Sequence, residues 1–162
     1  MRKKLLIGLL VVLFTLTGCK LSVGRTYENL LEGYIKAYTE ADLNEVHNVF
    51  PPFYVEYSKD QLTQEYLENQ VKKLKTQYGD DVKITYELTD KKQLTEKELK
   101  SLNENMARIY NSKENASECY RYEGNLITKG SLKEYKSSLS SMGYCKYNNT
   151  WYLVALMYEK EE

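Results

Sequence analysis

The chain has 162 residues, with 23 basic and 23 acidic side chains and a single histidine, His47. Without a basic stripe to neutralise a phosphate backbone, nucleic-acid binding is excluded as a function class. One histidine is too few for a histidine-based metal site, a Ser-His-Asp triad or a Cys-His pair would need it near a nucleophile, and no glycine-rich phosphate loop occurs.

The first element is an export segment. Arg2, Lys3 and Lys4 precede an apolar run from Leu5 to Leu16. At about 1.5 Å per residue such a helix spans roughly 18 Å, short of the bilayer core of about 30 Å. That is the layout of a signal peptide rather than of a transmembrane anchor. Leu16-Thr17-Gly18-Cys19 follows, an aliphatic residue, two small ones and a cysteine. The segment resembles the lipobox of bacterial lipoproteins. The resemblance implies diacylglyceryl attachment to the Cys19 thiol and cleavage after Gly18, with Leu16, Thr17 and Gly18 read by the peptidase. Residues 1–18 are then the signal, and the bilayer is the first partner, reached through acylated Cys19. The expected location is the extracytoplasmic face of the cell membrane.

Removing residues 1–18 leaves 144, enough for one ordinary domain, with 20 basic against 23 acidic side chains. Residues 19–25 read as a lipidated tether, 26–158 as a single domain and 159–162 as a charged tail. Tyrosine is the compositional outlier, with 16 against 3 Phe and 1 Trp. Such a set suits half-wet core packing, each ring buried and each hydroxyl hydrogen-bonded. The functional alternative is an aromatic-lined pocket for a sugar or an apolar ligand.

Thr26 can cap a first helix whose stripe is Tyr27, Leu30, Leu31, Tyr34 and Tyr38. Asp42 with Glu45 forms a capping-box pattern for a short second helix carrying Val46 and Val49, stopped by Pro51-Pro52. Ser58 with Gln61 predicts the start of a third helix running through Leu62 and Leu67 to Tyr78, with Gly79 as its C-terminal cap. The period then changes from 3.6 to 2: Val82, Ile84, Tyr86 and Leu88 alternate with polar residues, as in a strand. Thr95 and Glu98 open an inserted helix with Leu99, Leu102, Met106 and Ile109 on one face. That stripe either covers part of the sheet or is an exposed partner site. Strands are expected over 120–128, 135–147 and 151–157, the last two joined by an Asn148-Asn149 type I′ turn. The fold class is therefore α+β, with helices on one face of a curved four-stranded antiparallel sheet and a helix inserted after the first strand.

Several stretches carry a resemblance at fold level. They are Tyr34-Ile35-Lys36-Ala37-Tyr38 leading to Ala41-Asp42-Leu43, Phe50-Pro51-Pro52-Phe53, Tyr78 through Tyr86, Lys129-Gly130-Ser131, and Asn149 through Val154. The domain resembles the NTF2-like (cystatin-like cone) domains of small lipoproteins. The family pattern places a turn over Lys129–Tyr135, flanked by Thr128 and Lys136. Cys119 and Cys145 share the index sum of those two residues and would lie opposite each other, poised for a disulfide that the extracytoplasmic compartment permits. The resemblance brings no catalytic signature. It implies a non-catalytic binding module for an envelope protein or a small apolar ligand. Enzymes of the NTF2-like isomerase or dehydratase type, which use an Asp or His base in the cone, and immunity-type lipoproteins are the alternatives. No catalytic residue, metal ligand or cofactor is expected.

Overall fold

The computed structural model describes residues 25–157. The lipobox, Cys19, all of the tether but Arg25 and the charged tail lie outside the described residues. Thr26 caps α1 (Tyr27–Glu40), its hydroxyl accepting from the Asn29 backbone N–H, and Ala41 ends the helix in the left-handed region. Asp42 caps α2 (Leu43–Val49), accepting from the backbone N–H groups of Asn44 and Glu45. Phe50 is extended, as a residue before proline is constrained to be.

Pro51-Pro52 ends α2, but no loop follows. Pro52 is the first residue of α3 (Pro52–Ser58). At that position a missing N–H costs nothing, so the pair that stops one helix starts the next. The third helix expected from Ser58 is corrected accordingly. Ser58 closes α3 with its hydroxyl donating to the Tyr54 carbonyl. Thr63 instead caps α4 (Gln64–Tyr78), accepting from the Tyr66 N–H, and Leu62 falls between the two helices. Gly79 ends α4 at φ +107.

The sheet comprises β1 (Lys83–Gln93), β2 (Glu118–Lys129), β3 (Glu134–Ser138), β4 (Met142–Tyr147) and β5 (Thr150–Ala155), with α5 (Glu96–Tyr110) between β1 and β2. All pairings are antiparallel, in the order β1-β2-β4-β5, with β3 also on β2. The sheet therefore has five strands rather than four, because the segment expected as one strand breaks at Leu139–Ser141 into β3 and β4. Asn148 and Asn149 both have positive φ, 47 and 62, as a type I′ turn requires. Thr89 is an extra residue in β1, and the resulting irregularity faces Gly124. A Cβ on Gly124 would stand 2.0 Å from the Glu87 carbonyl oxygen, which explains glycine there.

The β2–β3 register sets Thr128 opposite Tyr135, one residue earlier than the expected Lys136. Between Ser138 and Gly143 the β3–β4 side carries one residue more than β2 does, and this restores the offset. Cys119 consequently faces Cys145, with Cα atoms 4.0 Å apart and the sulfurs at disulfide distance.

Strand alternation divides the interior in two. Tyr120, Tyr122, Tyr144, Trp151 and Leu153 pack with α1, α2 and α4. Their neighbours Cys119, Cys145, Tyr147 and Val154 pack with Leu102 and Met106 of α5. Adjacent strand residues point to opposite faces. Helices therefore cover both faces, not one. Around the β5 edge, Phe50, Pro51, Phe53 and Tyr54 line a small hollow together with Met106 and Tyr110 of α5 and with β5 itself.

Candidate functional site

A cone-type pocket would lie between the N-terminal helices and the sheet. That space is occupied by rings. Tyr27 of α1 stacks on Tyr122 at 3.8 Å and 5°, and Tyr144 stacks on Trp151 at 4.2 Å and 10°. The Tyr144 hydroxyl donates to the Arg25 carbonyl. Burial pushes the Tyr27 phenol well above its usual range, with Tyr122 and Glu28 adding to the effect, and its hydroxyl has no protein partner. The hollow between α3, α5 and β5 measures only about 10 Å³, and no carboxylate lines it. One water needs about that much.

Four carboxylates beside the helices are tied to structural work. Asp42 caps α2 and pairs with Lys36 at 3.2 Å, and that hydrogen bond holds its carboxyl below the usual range. Glu45 meets the same Lys36 at 3.1 Å. Glu98 accepts from the Thr95 N–H in a full capping box, and Asp81 accepts from the Ser131 N–H. His47 is exposed in the last turn of α2. Among the described residues no cluster of three His, Cys, Asp or Glu could hold a metal, and no helix is long and apolar enough to cross a membrane.

The α5 stripe is settled by packing. Leu102 is 0 % exposed and Met106 1 %, with Leu99 half-buried beside them. These three cover the sheet over the cysteine pair, while Ile109, also half-buried, packs in neither core.

Two features escaped the sequence reading. Arg25, read as the end of the tether, is clamped into the fold. Its guanidinium donates to the carbonyls of Trp151 (2.8 Å) and Asn48 and lies 4.7 Å over the Tyr152 ring. Nothing local marks Arg25, since all its partners are distant in sequence.

The second feature is a set of tyrosines at the margin of the first core. Tyr34 meets Tyr38 at 4.9 Å and Phe50 at 6.1 Å, and Phe50 meets Tyr54 at 4.9 Å. Tyr110 joins Tyr54 at 5.4 Å and Tyr57 at 5.1 Å. Tyr66 adds its field to the phenols of Tyr34 and Tyr38, whose ionisation is pushed up first by burial. Tyr57 and Tyr66 are 59 % and 39 % exposed. The excess of tyrosine was the one sequence signal for this set; it did not say which tyrosines gather. No protein-family profile, curated protein or solved structure matches the chain.

Proposed function

We propose that the chain is a lipoprotein, held to the extracytoplasmic face of the cell membrane through Cys19, whose domain is a non-catalytic binding module of NTF2-like build. The anchor is supported by the order of basic start, short apolar run and lipobox within the first nineteen residues. The observation that carries the module reading is the filled interior. The Tyr27–Tyr122 and Tyr144–Trp151 stacks occupy the place of a catalytic cone, Asp42 and Glu45 pair with Lys36, and Glu118 accepts from the Tyr120 hydroxyl. A general base must reach a substrate proton from within a site, and a capping carboxylate is already committed to backbone N–H groups.

The Arg25 clamp adds a constraint on reach. Six residue steps separate Cys19 from Arg25, at most about 20 Å of extended chain. The end of the domain bearing Arg25, Asn48 and Trp151 thus stays near the bilayer, and recognition happens close to the membrane. Two or more acyl chains at about 0.8 kcal/mol per buried CH₂ make such an anchor stable.

Replacing Cys19 by Ala tests the anchor. The expected outcome is loss of label from a fatty-acid precursor and retention of the unprocessed signal. A Cys19→Ala chain still cut after Gly18 and still labelled would defeat the proposal.

A further inference from the structure

Three cations at one end of the molecule rest on aromatic rings and not on carboxylates. The Arg25 guanidinium lies 4.7 Å over the Tyr152 ring, the Lys146 ammonium 5.7 Å over Trp151 and the Lys91 ammonium 4.0 Å over Tyr120. The three sites form one chain of contacts. Tyr120 meets Trp151 at 5.9 Å, Trp151 stacks on Tyr144, and the Tyr144 hydroxyl donates to the Arg25 carbonyl. Strand register explains the gathering. Lys146 stands opposite Trp151, and Lys91 stands opposite Tyr122, two residues from Tyr120 along the same face. The neighbouring charges are mixed. Lys92 pairs with Asp90 and Arg121 with Glu123, whereas Arg25, Lys91 and Lys146 are in no ion pair among the described residues. Glu118, opposite Lys146, accepts from the Tyr120 hydroxyl, and Glu28 of α1 acts on the Tyr122 and Tyr144 phenols. Cations therefore exceed carboxylates among the groups left outside ion pairs.

Trp151, Tyr120 and Lys146 are half-buried and Lys91 is exposed. Rings with one buried and one wet edge, beside lysines whose long stems let the ammonium reach outward, match the composition of a membrane-interface belt. A ring-bound cation elsewhere, Lys133 over Tyr78 at 4.5 Å, takes no part in these ring contacts. Position identifies the partner. Arg25 is the first described residue, its guanidinium donates to the Trp151 carbonyl, and at most about 20 Å of extended chain separates it from Cys19. A tether that short makes any attraction between this surface and the bilayer intramolecular, so a weak one suffices.

We propose that this end of the domain docks on the anionic membrane surface to which Cys19 anchors it, with Trp151 at the bilayer interface and Lys91 and Lys146 reaching lipid headgroups. The proposal rests on the anchor reading and adds which surface meets the bilayer. Docking gives the domain one orientation on the membrane in place of free rotation about its tether.

Trp151 is the only tryptophan of the chain, so its fluorescence reports this surface without an added label. The lipidated protein, purified from membranes, is reconstituted in phosphatidylcholine vesicles with or without phosphatidylglycerol, and attachment is checked by flotation. A lipid spin-labelled near its headgroup serves as quencher. Trp151 should be quenched when phosphatidylglycerol is present and much less when it is absent. Quenching should be relieved at about 1 M salt, where the screening length falls to about 3 Å. A lysine near an anionic surface favours docking about fivefold, so Lys91→Gln with Lys146→Gln should shift the docked-to-free ratio about twenty-fivefold towards free. The lipid and salt series need no substitution and decide the matter even if that variant folds poorly. Lys72→Gln with Lys73→Gln, exposed on α4, removes the same charge elsewhere and should leave quenching unchanged. A floated protein whose Trp151 is unquenched, or is quenched equally without phosphatidylglycerol, overturns the proposal and leaves the anchor reading standing. Loss of quenching in the Lys72, Lys73 variant would mark a net-charge effect and also overturn it. If lipid leaves Trp151 unquenched while envelope extract shields it from acrylamide, the surface is a protein contact and the proposal falls. A protein that does not float with the vesicles overturns the anchor reading, and this proposal with it.

Discussion

On one face of the sheet Leu31, Val46, Val49 and Leu67 from three N-terminal helices meet Tyr122 and Leu153; on the other, a single helix sets Leu102 and Met106 over Cys119 and Cys145. The first layer is redundant. Its helices follow one another in the chain, and each presents a stripe read from its own period. The second depends chiefly on α5, entered and left through connections to β1 and β2, with Phe53 of α3 meeting Tyr147 at 5.2 Å beside it. Each fully buried Leu or Met contributes roughly 2–3 kcal/mol, which leaves a one-helix layer marginal against the entropy of ordering it. The Cys119–Cys145 pair beneath the helix, at disulfide distance, can compensate by holding β2 and β4 together. The difference shows how a sheet with one well-covered face can close its other face with few residues, provided the strands there are cross-linked.

The largest effect should come from the thinner layer. Leu102→Asp places an unpaired carboxylate where the side chain is 0 % exposed, and is expected to cost about 4 kcal/mol. β4 and β5 serve both cores, so unfolding in urea should remain a single transition with a lower midpoint. A second transition would mean that the layers are independent.

Removing the cross-link should come next. The Cys119–Cys145 pair encloses a 26-residue separation, for which loop-closure entropy gives about 3.5 kcal/mol. The expectation is that Cys119→Ala with Cys145→Ala loses about that much, measured by urea unfolding against the oxidised parent. Mass spectrometry of freshly isolated protein under non-reducing conditions should find neither thiol alkylated. An unchanged midpoint would show that α5 holds its face unaided.

The smallest effect is alkaline and touches both layers. Burial raises the phenols of Tyr27 and Tyr38 on the first face and of Tyr147 on the second, and pushes Tyr144 up to about 12. Above the ordinary tyrosine value of about 10 the unfolded chain releases protons that the native state keeps, so stability is complete below that pH and falls as pH rises towards 12. The urea midpoint should therefore drop between about pH 9 and pH 11. Tyr27→Phe removes a buried hydroxyl without a protein partner, so it should cost little at neutral pH and reduce the alkaline loss. An alkaline loss unaltered by Tyr27→Phe would place the sensitivity elsewhere.

Local chemistry made much of the fold legible. The caps at Thr26, Asp42 and Thr95 depend on a side chain reaching a backbone N–H two or three residues on, so each could be read from a few letters. The same holds for Asn148-Asn149, whose tolerance of positive φ belongs to the residues themselves, and for the alternation of Ile84, Tyr86 and Leu88. Where two local solutions competed, neighbouring packing decided. Pro52 could end a loop or begin a helix, and Ser58 and Thr63 are both good caps. The outcome follows from α3 lining the β5 edge, a contact invisible to local pattern.

The candidate site was legible only as an excess of tyrosine. Sixteen tyrosines could be counted, but whether a hydroxyl finds Glu32, Glu118, the Arg25 carbonyl or nothing depends on residues up to 119 positions away. The face taken by α5 was likewise undecided in the chain, because an amphipathic stripe specifies that it must be buried and not against which side of a sheet. By itself the sequence determined the elements and their caps, which arise from contacts within one turn or one hairpin. Only the tertiary structure decided which apolar faces meet, how one extra residue at Leu139–Ser141 brings Cys119 opposite Cys145, and which phenols remain unengaged. Those outcomes are set by burial and hydrogen bonding between segments far apart in the chain, which no local pattern encodes.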